Sequence, residues 1–216
     1  MRKRLTCIIL LALVAVTGAQ APDARNVRLF GDRFKPLTYD QMAPEQKVMI
    51  EHLMAGDRGG STVGPFNVLL RSPEMGDLTQ QLGAYVRFHS KISATEREMA
   101  ILITARHWTA QFEWTAHKRL ALQAGLNPAV IDSIAAGKRP AALEPGEQVV
   151  YNFSTELLNT KQVTDSTFQA AVNSLGERGT VDLIGLLGYY NIVSMLLNVD
   201  RYPIPDGSKP ELKPLQ

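Results

Sequence analysis

The sequence predicts an all-α, single-domain, oligomeric helical bundle. Apolar residues recur at helical spacing through most of the chain. No run shows the strict alternation of a half-buried strand. The periodic segments are separated by short connections marked by caps, prolines and glycines.

The segments follow in order. Residues 1–21 read as a signal peptide: Arg2, Lys3 and Arg4 precede a twelve-residue apolar run, then Ala19-Gln20-Ala21 offers a cleavage site. Twelve residues reach only about 18 Å as a helix, short of the roughly 30 Å hydrocarbon core. The expected product is exported, periplasmic or secreted, free of the membrane after cleavage, and begins at or near Pro22. Residues 22–40, with Pro22 and Pro36, lack periodicity and predict an extended arm.

A short helix is expected over 45–54, with Val48, Met49, Leu53 and Met54 on one side. The glycine-rich stretch GDRGGSTVGPFNVLLRSPE lacks the lysine and serine of a phosphate-binding P-loop, and reads as a packing loop with a helix opening at Asn67. The next helix covers 74–88, with Leu78, Leu82, Tyr85 and Val86 as its stripe. Ser93 and Glu96 form an S-x-x-E capping box, so a helix begins at Ala94, with Met99, Leu102, Ile103 and Arg106 at i, i+3, i+4, i+7. Another runs over 110–123 and stops at Gly125. Asn127 and Pro128 open a fourth that ends at Gly137. Helices over 147–159 and 165–175 follow, and Thr180 caps a last one reaching Asn198. That last helix is apolar nearly all round, so it is either wholly buried or membrane-bound. Asp182, Asn191 and its modest length argue against a span. A bundle of this size seldom encloses a helix completely, and Gly185 and Gly188 permit close backbone approach, so a second subunit is expected to cover part of it.

Composition narrows the chemistry. Residues 1–21 hold three of the 23 Lys and Arg and none of the 21 Asp and Glu, so the rest carries 20 cations against 21 anions. No electrostatic case for nucleic acid remains. The one cysteine, Cys7, leaves with the signal, so the mature chain has no disulfide or thiolate site.

The stretch ISATEREMAILITARHWTAQFEWTAHKRLALQAG places Glu98 on one helix and Glu113 and His117 on the next. Glu113 and His117, four apart, are neighbours on one face. A carboxylate there raises the imidazole pKa into the range useful for proton transfer. Spacing alone favours the ordinary reading, in which such a pair lends an exposed helix a few tenths of a kcal/mol. A helical hairpin would bring Glu98 to the pair, with His107 and Trp108 at its turn and Trp108, Phe112 and Trp114 as an apolar wall. A metal set of Glu98, Glu113, His107 and His117 is conceivable, but di-iron bundles repeat Glu-x-x-His on two helices and this chain does not. No metal and no cofactor are expected. His52 and His89 lack a partner pattern.

The motifs RE-x-A-IL-x-x-AR (97–106), EWTAH (113–117) and A-x-QAGL (121–126) resemble the carboxymuconolactone decarboxylase and alkyl hydroperoxidase D-like family, with similarity over about 40–205. The peroxidase branch carries a glutamate, twelve residues on a C-x-x-C, and a histidine four after the second cysteine. Glu98 and His117 match the glutamate and histidine, whereas Ala110 and Glu113 stand at the cysteine positions, so thiol peroxidase activity is not expected. The decarboxylase branch, as the resemblance implies, is cofactor-free, all-α and oligomeric, with trimers and hexamers favoured, and acts on a small lactone bearing a carboxylate. The expected catalytic residues are therefore His117, Glu113 and Glu98. Phe66 and Tyr190 are set near the site by the resemblance and join His107, Trp108 and Trp114 as substrate-binding candidates. The expected organisation is a signal at 1–21, an arm at 22–40, the family domain at 41–205 and a tail at 206–216. Two readings compete: a decarboxylase-like lyase, and a non-catalytic ligand-binding or scaffold protein that has lost the redox cysteines.

Overall fold

The computed structural model describes residues 22–204 and 208–214, so residues 1–21, read above as a signal peptide, and Cys7 lie outside the described residues. Among those residues every regular element is helical. Eight α-helices follow the arm: α1 (Pro44–Ala55), α2 (Phe66–Leu69), α3 (Pro73–Phe88), α4 (Ala94–His107), α5 (Gln111–Gln123), α6 (Pro128–Ala135), α7 (Pro145–Thr160) and α8 (Asp165–Asp200).

Helix α4 is the hub, packed on α5, α6, α7 and α8. Its start is set by the expected cap, in which Ser93 Oγ accepts from the Glu96 backbone N–H and a Glu96 carboxylate oxygen accepts from that of Ser93. Nine successive residues, from Glu98 through Arg106, are buried. The encircled helix is thus α4, and the last helix is only partly enclosed, as the size of the bundle led one to expect. Helix α8 buries Leu183, Leu186, Leu187, Tyr189, Tyr190, Val193 and Leu197 and exposes Val181, Ile184, Met195 and Val199. It is long and apolar enough to cross a membrane, yet 56% of its most apolar window is buried inside the protein, as in a core helix.

Two cores result. The larger surrounds α4 with residues from α3, α5, α6, α7 and α8. The smaller joins α1 and α2 to Leu29 of the arm and to Met42 just before α1.

Three local expectations change. On α1 the buried side is Met49, Ile50, Leu53 and Met54, and Val48 is exposed. On α3, Leu78 and Leu82 point outward, while Gly76, Thr79, Gln80, Gly83 and Val86 face in. The cause is clearance: a Cβ at Gly76 would lie 2.6 Å from the Leu69 carbonyl oxygen, and one at Gly83 would lie 2.3 Å from the Tyr189 ring. Only the small-residue face of α3 can pack this closely. Finally, the break before the last segment falls at Gly176, which takes φ 72°, ψ 170°. Thr180 is not a cap; it lies inside the helix with its hydroxyl bonded to the Gly176 carbonyl.

The arm is largely extended, with single 3-10 turns at Ala24–Asn26 and Tyr39–Gln41. It is tied to the far end of the chain. Arg33 N–H donates to the Asp200 carbonyl and Phe34 N–H to the Asp200 carboxylate, at 3.2 and 2.7 Å. The tail also docks: Leu212 is buried, and its carbonyl accepts from the Gln111 amide.

Candidate active site

Helices α4 and α5 form the expected hairpin, turning through Thr109, which adopts φ 50°. The hairpin brings Glu98 against His117, nineteen residues on. His117 Nδ1 lies 2.6 Å from Glu98 Oε2, and His117 Nε2 lies 3.0 Å from Glu113 Oε1. All three residues are 4% exposed, so this is not a surface i, i+4 pair. A carboxylate oxygen only accepts, so a ring between two of them is satisfied as imidazolium, donating from both nitrogens.

The electrostatics agree with that state. Burial works against the charged form of His117, but the charge and hydrogen bond of Glu113 and those of Glu98 outweigh it and raise the imidazole above its usual 6.5. Burial likewise works against ionised Glu98. The hydrogen bond and charge of His117, with help from Arg87 and Arg97, hold its carboxyl below 4.5. Tyr190 stands edge-on to the imidazole, ring centroids 5.1 Å apart, and burial pushes its phenol well above 10.0. That hydroxyl stays protonated.

Glu113 and His117 open onto a cavity of about 350 Å³. Glu98 does not line it and sits behind the imidazole. Three walls are aromatic: Phe66 from α2, Phe112 from α5, and Tyr189 with Tyr190 from α8. Three arginines complete it. Arg87 comes from the last turn of α3; burial weakens its charged form, but Tyr190, Glu98 and Glu113 more than restore it. Arg58 comes from the glycine-rich loop, donates to the Tyr189 hydroxyl at 3.1 Å and lies 5.2 Å from the Phe66 ring centre. Its Nε is buried without a hydrogen-bond partner among the described residues. Arg119 is at the rim.

Of the eight residues singled out from sequence, five meet here: Glu98, Glu113, His117, Phe66 and Tyr190. The other three go elsewhere. Trp114 is fully buried among core residues, because the α5 face carrying it turns toward the hub. Trp108 donates its indole N–H to Asn191 and tethers the hairpin turn to α8. His107 ends α4 and lines a different cleft, so it cannot join Glu98, Glu113 and His117 as a ligand set. His52 and His89 are exposed partners of Asp77 and Asp57.

Sequence reasoning missed the arginines and Tyr189. A signal did exist for Arg58, a lone cation among glycines. Arg87 had only its place next to buried Val86.

The comparisons agree with the motifs. Residues 73–156 match the Carboxymuconolactone decarboxylase family, a span from α3 into α7. No curated protein matches the chain. The matched span contains the whole hairpin that carries the buried triad, whereas Tyr189, Tyr190 and the glycine-rich loop lie beyond it. Glu98, Glu113 and His117 all lie within the residues that match the Carboxymuconolactone decarboxylase family.

Proposed function

We propose that this protein is a cofactor-free, decarboxylase-like lyase acting on a small carboxylated lactone or related compound. The observation that carries the reading is an imidazolium clamped between two buried carboxylates, at the floor of a cavity whose other charges are arginines. Arg58, Arg87 and Arg119 suit the substrate carboxylate and the charge that develops on the lactone carbonyl. In the reaction the bond from carbon to the carboxylate breaks and CO2 leaves. The electron pair stays on carbon, spread into the carbonyl. A proton from the His117–Glu113 pair then forms the new C–H bond, and solvent restores it. Glu98 orients the imidazole and keeps it charged, so it is a positioning residue. Ala110 and Glu113 at the cysteine positions leave thiol peroxidase chemistry without its nucleophiles.

The test is CO2 release from a panel of carboxylated lactones and 3-oxo acids, in which a carbonyl stands where it can take up the electron pair. General acid–base groups contribute roughly 10²–10⁴-fold, so His117→Ala and Glu113→Gln should each lose at least about 100-fold in kcat. Turnover that survives both changes would show that the roles are misassigned. Binding without turnover of any compound would favour the scaffold reading.

We propose further that the working form is an exported homo-oligomer, a trimer or hexamer. Helices α3 and α8 pack on each other, and each carries an exposed apolar row: Met75, Leu78 and Leu82 on one, Val181, Ile184, Met195 and Val199 on the other. Gly188 lies in the α8 row with open space above it. Such rows favour cover by a second copy.

A further inference from the structure

Arg106, two turns beyond Glu98 on α4 and thus roughly 12 Å along the axis, is a buried arginine outside the active site. It is 4% exposed. One of its five N–H donors goes to the Lys213 carbonyl at 2.6 Å. Its Nε and Nη1 are buried and have no acceptor among the described residues. A buried guanidinium with unmet donors is costly unless an acceptor meets it.

Arg106 lines a second cleft of about 350 Å³ between α4, the end of α6 and α7. Lys138 and Arg139 stand at its mouth, and among the described residues no Asp or Glu lines it. Arg139 is held in place by the Asn152 side chain at 2.7 Å and by the Tyr151 ring. The floor is apolar, formed by Ile103, Ile134 and Leu158. We propose that this cleft is a second binding site, for a small organic carboxylate gripped by Arg106, Lys138 and Arg139. The three cations match an oxyanion, and the guanidinium fork suits a planar carboxylate. The apolar floor calls for a hydrocarbon body on the ligand and disfavours a bare inorganic anion. His107 lies against the same cleft, where burial and then the charge of Lys161 hold its imidazole below 6.5 and so mostly neutral at pH 7.

The proposal does not depend on catalysis in the other cavity, and the four histidines allow the two sites to be read apart. Benzoate is titrated into the mature protein while the imidazole resonances are followed by NMR, with His107 assigned from a His107→Gln spectrum. The His107 signal in wild type should shift and saturate at millimolar benzoate. Lys138→Gln with Arg139→Gln, both at exposed positions, should weaken that binding at least tenfold, whereas Arg87→Gln in the other cavity should leave it unchanged. Arg106→Gln should abolish it, and the surface double variant carries the test if the buried change impairs folding. An unmoved His107, or a double variant that binds as well as wild type, would overturn the proposal. So would phosphate shifting His107 with the same affinity as benzoate.

Discussion

His117 is the residue whose neighbours decide most. Replacing it by alanine leaves two carboxylates buried without their shared cation, and breaking a buried pair in this way costs about 3–5 kcal/mol. Urea unfolding at pH 7 should show that loss. The wild type has its own pH signature. The folded pKa of His117 is raised, so its stabilisation is complete below about 6.5 and is lost as pH rises through the folded value. The folded pKa of Glu98 is lowered, so its contribution is present above 4.5 and is lost as pH falls through its folded value. The triad's stabilisation should therefore peak between about pH 4.5 and 6.5. Glu98→Gln should flatten the acid limb, which denaturant midpoints across pH would reveal. An unchanged acid limb in that variant would remove the pair from the account. The Glu113/His117 spacing was legible in the sequence because helical geometry fixes i, i+4 neighbours. The approach of Glu98 depended on a turn that spacing cannot aim, and Arg58 and Arg87 depended on packing between remote segments.

At the scale of elements, hydrophobic periodicity located the helices well but assigned the buried face of α3 wrongly. Leu78 and Leu82 have the apolar character of a core stripe. Steric clearance overruled it, because Met49 and Tyr189 press against Gly76 and Gly83. Two other glycines separate backbone need from interface. Gly176 holds φ 72°, ψ 170° at the α8 kink, a region almost confined to glycine that costs an L-residue roughly 1–3 kcal/mol. Gly176→Ala should therefore destabilise the fold by about that amount in thermal melts. Gly188 is helical with nothing above it, so Gly188→Ala should stabilise an isolated chain by up to about 1 kcal/mol through helix propensity. If a second copy packs there, the same change should weaken assembly instead, and sedimentation of the variant distinguishes the two.

For the whole molecule, the all-α class and most helix boundaries followed from caps and punctuation, since those signals are local. Which helix lies at the centre did not, because α4 and α8 are both rich in apolar residues and only the packing ranks them. Light scattering on the mature protein should give a mass of three or six chains. A stable monomer would show that the apolar rows of α3 and α8 have another purpose. N-terminal sequencing of protein recovered from the exporting host should begin at or near Pro22. Full-length chain retained in membranes would replace export by anchoring.

The bonds between the arm and Asp200 join positions 166 and 167 apart in sequence. Closing so long a loop is entropically costly until both ends are ordered, and contacts of that span slow folding. The backbone N–H groups of residues 33 and 34 consequently lack these acceptors until the end of α8 exists. This early-synthesised stretch is then among the last to settle. In pulse-labelled hydrogen exchange, the amides of Arg33 and Phe34 should gain protection after those of α4.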